Sequence, residues 1–178
     1  MRLGDSFLKF LSSGNQEKLM ISGRSETFAP GEVLLAEGEV RRAIFLIERG
    51  CVRIERSHMG FNVEVSRLQA GEIFGEMSFV ESYAASASVI SDDEVEVLVF
   101  DESGVNSLME ADPTFTGQFY RSLAEVISRR LREVTARSIS EFAWGADSEN
   151  PDDRKDWGGG SPLRDQKIDL ILDTEEKV

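Results

Sequence analysis

Short apolar runs separated by polar turns dominate the first half of the chain. Thr27-Phe28, Val33-Leu34-Leu35, Ile44-Phe45-Leu46-Ile47, Val52-Arg53-Ile54-Glu55 and Val63-Glu64-Val65 are rich in β-branched and aromatic residues, which suit a pleated, half-buried surface. Gly31, Gly38, Gly50, Gly60 and Gly71 punctuate them at spacings of 7 to 12 residues, the rhythm of successive antiparallel strands in a sandwich or barrel. Two further runs, 87–90 and 95–100, extend the pattern, the second alternating Glu94, Val95, Glu96, Val97 before it turns apolar throughout.

Helical periodicity brackets this β region. Phe7, Leu8, Phe10, Leu11, Leu19 and Met20 mostly recur at helical spacing after Asp5, which predicts a first helix capped by Asp5 and stopped at Gly23. Asp101 predicts the cap of a short helix reaching Glu110, and Ala111-Asp112-Pro113 a break. A long helix is then expected over 114–137, with Phe115, Phe119, Leu123, Val126, Ile127, Leu131 and Val134 in one stripe. Its 24 residues, at about 1.5 Å each, reach roughly 36 Å, far enough to pass the edge of a small domain.

Charge and composition narrow the function. At 178 residues and 40% apolar content the chain has room for one self-sufficient core and a tail. A formal charge of −13 disfavours nucleic acid and anionic membrane as partners of the whole molecule. The segment 121–137 runs against that charge, with five arginines and two glutamates, 5 − 2 = +3. From 138 the composition shifts to 11 acids and 5 bases, 5 − 11 = −6, around the linker Gly158-Gly159-Gly160-Ser161-Pro162. The expected division is therefore a domain over 1–137 and an acidic, Gly-rich, flexible tail over 138–178. Within the tail, Ile168-Asp169-Leu170-Ile171-Leu172 offers a strand-like anchor, making 163–178 a candidate segment for a protein partner.

Catalytic chemistry has few footholds. One histidine, His58, reads as a turn residue, and one cysteine, Cys51, as a small strand residue; neither has a neighbour in sequence that would make a metal site or a nucleophile–base pair. No Ser-His-Asp set or Walker loop is present, so the expectation is a binding module with no catalytic and no metal-ligating residues. No apolar stretch approaches the roughly 20 residues that span a bilayer, and the N-terminus lacks a secretory pattern, so a cytoplasmic protein without membrane insertion is expected.

The stretch from Ile73 to Val89 carries the candidate site. Gly75 permits close backbone approach, and the apolar run after Glu76 suits a helix of one or two turns whose first N–H groups face an anion. Phe74-Gly75-Glu76-Met77-Ser78-Phe79, followed after a gap by Ala85-Ser86-Ala87-Ser88-Val89, resembles the phosphate-binding cassette of the cyclic-nucleotide-binding domain family. Phe28-Ala29-Pro30-Gly31-Glu32 and Ile44 to Gly50 resemble that family's early strands and turn.

The resemblance implies a jelly-roll β-barrel, mainly β with flanking helices, and a catabolite-activator-like sensor lacking the DNA-binding module. It also implies that Glu76 binds a ribose 2′-hydroxyl and that backbone amides and a small polar residue hold a cyclic phosphate. The ligand-binding candidates are Phe74, Gly75, Glu76, Met77, Ser78, Ala85, Ser86 and Ser88. The family's arginine falls nine or ten residues after the glutamate, where this chain has Ala85 and Ser86. Cyclic AMP and cyclic GMP are therefore expected to bind weakly, unless Arg121 or Arg129 of the long helix supplies the cation. The expected ligand is a cyclic nucleotide or a related phosphorylated small molecule. Resemblance further implies that the long helix closes over the ligand and pairs with its twin, so a homodimer through 114–137 is expected. Nothing after Arg137 fits a helix-turn-helix, so no direct DNA binding is expected. A regulatory sensor signalling through the long helix is the primary reading, and a ligand-independent dimeric scaffold with a degenerate pocket the alternative.

Overall fold

The central strands explain the architecture because they are buried on both faces. β3 (Ala43–Arg49) has residues 43–47 all buried, and β8 (Val95–Asp101) is nearly as deep. Side chains alternate faces along a strand, so each of these strands serves two cores. Ala43, Phe45, Ile47, Val95, Val97 and Val99 face an inner core shared with the opposing sheet. Ile44, Leu46, Leu98 and Phe100 face the helices.

The computed structural model describes residues 7–147, with side chains through residue 136. Two compact units result, Met1–Val134 and Thr135–Val178; the first holds both sheets. One antiparallel sheet runs β1-β8-β3-β6, with β1 Arg24–Phe28 and β6 Ile73–Phe74. The other runs β2-β7-β4-β5, with β2 Val33–Leu35, β4 Cys51–His58, β5 Phe61–Gln69 and β7 Ser88–Ser91. Stacked face to face, they make the expected jelly roll. Only β6 went unforeseen, because two residues cannot show an alternation.

The second sheet wets its outer face. There Arg53 pairs with Glu55 (2.6 Å) and Asp92 (2.7 Å), and Arg67 with Glu64 (2.8 Å) and Asp92 (2.9 Å). Val52 and Ile54, one step along β4, point inward. His58 closes β4 and the turn itself is Met59-Gly60, both at positive φ, so the expectation of a turn histidine is off by one residue.

Helices cover the first sheet. A 3-10 turn over Leu8–Phe10 precedes α1, Ser13–Ser22. Its N-cap is Ser12, whose side chain accepts from the Asn15 amide, and the expected cap Asp5 lies outside the described residues. Gly23 does end α1, but in an extended conformation. A Cβ there would lie 2.5 Å from Leu98, so packing requires the glycine. α3 covers Glu102–Ala111. Asp101 holds its N-cap position without a side-chain cap bond and sits 3.6 Å from Arg24 instead.

α4 runs Pro113–Asp147, well past the expected end at Arg137, so the start of the expected tail is helix. Asp112 caps it, its Oδ1 accepting from the amides of Thr114 (2.9 Å) and Phe115 (3.3 Å). The tail from 148, including 163–178 and its Ile168–Leu172 run, lies outside the described residues. No helix among the described residues is long and apolar enough to cross a membrane.

Candidate functional site: the cassette between β6 and β7

β6 delivers the chain to the site by pairing with β3, Phe45 opposite Phe74 and Leu46 opposite Ile73. The Phe45 and Phe74 rings stack with centroids 4.5 Å apart inside the inner core. Gly75 then turns the chain at φ +83°, where a Cβ would lie 2.5 Å from the Ala43 carbonyl oxygen. Both the left-handed backbone and the close approach demand glycine. From it starts α2, Glu76–Glu81, the short helix expected here.

Glu76 is 4% exposed, and its burial calls for a partner. Arg130 of α4 provides one: Nη1 lies 2.6 Å from Glu76 Oε1, and Nη2 donates to the Ile73 carbonyl oxygen. A charge-assisted contact of this kind is roughly twice as strong as a neutral hydrogen bond. Phe79, one turn on, packs on Phe119 of α4 with centroids 5.9 Å apart. Among the described residues, Arg130's ion pair and hydrogen bond and the Phe79–Phe119 contact thus fasten the cassette to the long helix.

The remaining candidates divide by environment. Ser78 is buried, and its carbonyl accepts the Ser82 amide that closes α2, while Met77 is half exposed. Ala85 is 5% exposed within the inner core. Its amide donates to Glu39 and its carbonyl accepts from Gly38, both at 2.8 Å, so the loop between β2 and β3 pins it. Ser86 is exposed. Ser88 Oγ accepts from the Glu37 amide at 3.0 Å, and Glu37 Oε2 accepts from the Ser57 amide at 2.8 Å. The candidates thus fall in different surroundings, with Phe74 and Ala85 in the inner core, Glu76 against α4, Ser86 exposed and Ser88 tied to Glu37.

The two arginines favoured from sequence are engaged elsewhere. Arg121 stacks over the Phe10 ring at 4.3 Å, and Arg129 lies 3.9 Å from Glu133 along its own helix. Arg130 is the residue that reaches Glu76. Its signal was in the spacing: it stands four residues after Val126 and seven after Leu123, so a cation sits on the apolar face of the helix. Cys51 takes no part in the site, and burial followed by the nearby Asp92 pushes its thiol up, toward the protonated form.

Comparison with known proteins matches residues 25–112 to the cyclic nucleotide-binding domain. The domain belongs to that family. Similar proteins include "Cyclic GMP-binding protein C" of Dictyostelium discoideum, 30% identical over 67% of this chain and 5% of its own length. The "Cyclic AMP receptor protein" of Thermus thermophilus is 30% identical over 60% of this chain and 48% of its own. The chain thus spans less than half the length of these curated relatives. Among solved structures, Thermus thermophilus catabolite activator protein superposes with a TM-score of 0.65 at 25% identity, covering 74% of this chain and 61% of that one. A cyclic nucleotide-binding domain from Methylobacillus flagellatus gives a TM-score of 0.71 at 20% identity over 77% and 83% of the two chains, a likeness of fold. Binding of cyclic nucleotides is the property the family shares.

Proposed function

We propose that this cyclic nucleotide-binding domain is a regulatory sensor that takes a nucleotide-like, anionic small molecule in the cassette and passes its occupancy to α4. The observation that carries the reading is the contact of Glu76 with Arg130, 2.6 Å long. A hydroxyl-bearing ligand that hydrogen-bonds Glu76 changes the partner of a guanidinium on the helix, so occupancy and helix position are linked. Ligands lacking such a differential contact shift nothing. The reading extends to a homodimer through the part of α4 not consumed by the domain.

Calorimetric titration with cyclic AMP and cyclic GMP, with amide exchange over 113–134, tests it. Binding in the micromolar range or weaker, with altered exchange along α4, is expected. Ala85→Arg is expected to raise affinity by about ten- to a hundredfold, the worth of a charge-assisted phosphate contact. Unchanged exchange at saturating nucleotide overturns the coupling to α4. The packing of Ala85 in the inner core favours a second reading, a ligand-independent scaffold. Under it, no cyclic mononucleotide or dinucleotide shifts the unfolding temperature.

A further inference from the structure

The hairpin of β4 and β5 carries a cation whose side is decided by strand register. β4 pairs with β7 in unbroken register, Val52 with Ser91, Ile54 with Val89 and Glu55 with Ser88. Against β5 the register steps from Ile54–Ser66 to Glu55–Glu64, which puts the extra residue on β5 and leaves β4 regular. Val52 and Ile54 face the inner core, and Arg53 and Glu55 the solvated ion-pair face. Arg56 is therefore on the inner face, together with its cross-strand partner Val63. One step past the last β4–β7 pair, the same register sets Arg56 opposite Ala87 and on the face that Ala85 and Val89 share.

A recess of about 420 Å³ opens there, lined by Arg56, Ser57, His58, Val63 and Val65. It is an open groove, with Val63 and Val65 about half exposed. The bridge from Ser57 through Glu37 to Ser88 holds this end of the hairpin against the cassette. Arg41, Arg42, Arg49, Arg53 and Arg67 each lie beside a carboxylate. Among the described residues the Arg56 side chain makes no hydrogen bond or ion pair. That guanidinium stands, among the described residues, without a counterion, beside a cassette that has alanine where its family has arginine.

We propose that Arg56 is the anion-binding residue of this site, replacing the cassette arginine from the neighbouring strand, and that Val63 and Val65 form the wall for the ligand's ring. The ligand class is a small phosphate-bearing molecule with an apolar ring face, held by its charge at Arg56. The inference rests on the proposed sensor function and names the group that makes it work. Glu37, the nearby carboxylate, already accepts from the Ser57 amide.

The test is calorimetry on the full chain with cyclic GMP as charged probe and guanosine as uncharged probe, at two salt concentrations, for the unaltered protein, Arg56→Gln and Arg56→Lys. Arg56→Gln is expected to lower cyclic GMP affinity by about ten- to a hundredfold, to leave guanosine affinity unchanged and to flatten the salt dependence. Arg56→Lys retains part of the affinity, since a point charge remains. Equal cyclic GMP affinity in the unaltered protein and Arg56→Gln overturns the assignment while the sensor reading stands. Absence of cyclic GMP binding by the unaltered protein overturns both. Arg56 is exposed, so unchanged thermal unfolding of the variants separates lost binding from lost fold.

Discussion

Glu76 and Arg130 stand 54 positions apart in sequence and 2.6 Å apart in space. Removing one member of a buried pair strands the other, and Glu76 is the deeper of the two, its side chain 6% exposed against 24% for Arg130. Arg130→Ala is expected to lower stability by about 2–4 kcal/mol in urea denaturation, less than for a fully buried pair because the guanidinium keeps some water. Adding Glu76→Gln removes the uncompensated charge and recovers part of the loss, a coupling that a double-mutant cycle measures. Gly75→Ala is expected to be costly for a local reason: an L side chain at φ +83° is strained, and its Cβ has nowhere to go beside Ala43. A loss of about 1–3 kcal/mol or more, read from the urea midpoint, is the expected result. Gly75 and Glu76 were legible in sequence as a motif. Arg130 was legible only as a cation out of place on an apolar stripe.

At the scale of the element, α4 divides its apolar stripe between two tasks. Phe115, Phe119, Leu123 and Val126 are buried against the domain, whereas Leu131 is 65% and Val134 59% exposed. The expectation that the whole stripe meets a twin is thus too generous, since its first half is already spent inside the chain. Leu131→Asp is expected to leave domain stability nearly unchanged and to convert a dimer to a monomer in sedimentation. A monomeric unaltered protein at tens of micromolar removes the dimer. The start of the same helix responds to pH. The Phe115 amide, then that of Thr114, and the Lys18 ammonium hold the Asp112 carboxyl below the usual carboxylate range. A depressed folded-state value contributes stability above the ordinary aspartate value of about 3.9 and loses it as pH falls through the folded value. Asp112→Ala is therefore expected to lower the urea midpoint at neutral pH, with the gap to the unaltered protein closing in acid.

For the molecule as a whole, the two-core arrangement accounts for the sequence pattern and its charge. Strands β3 and β8 are mostly apolar because sheet meets sheet on one side and helices on the other, while β4 and β5 keep Arg53, Glu55, Glu64 and Arg67 on a wet outer face. With a formal charge of −13, the chain is expected to give no mobility shift with duplex DNA at physiological salt, where binding depends on clustered cations. The sequence by itself determined the strands and turns, the end of α1, the break before α4 and the cassette. Those features depend on local alternation, on glycines at turns and on caps a few residues away. Tertiary structure alone decided which arginine meets Glu76, how much of α4 the domain buries and which way Arg56 faces. Each depends on helix rotation or strand register, and these are settled by side chains that are distant in sequence and meet only when the two cores close.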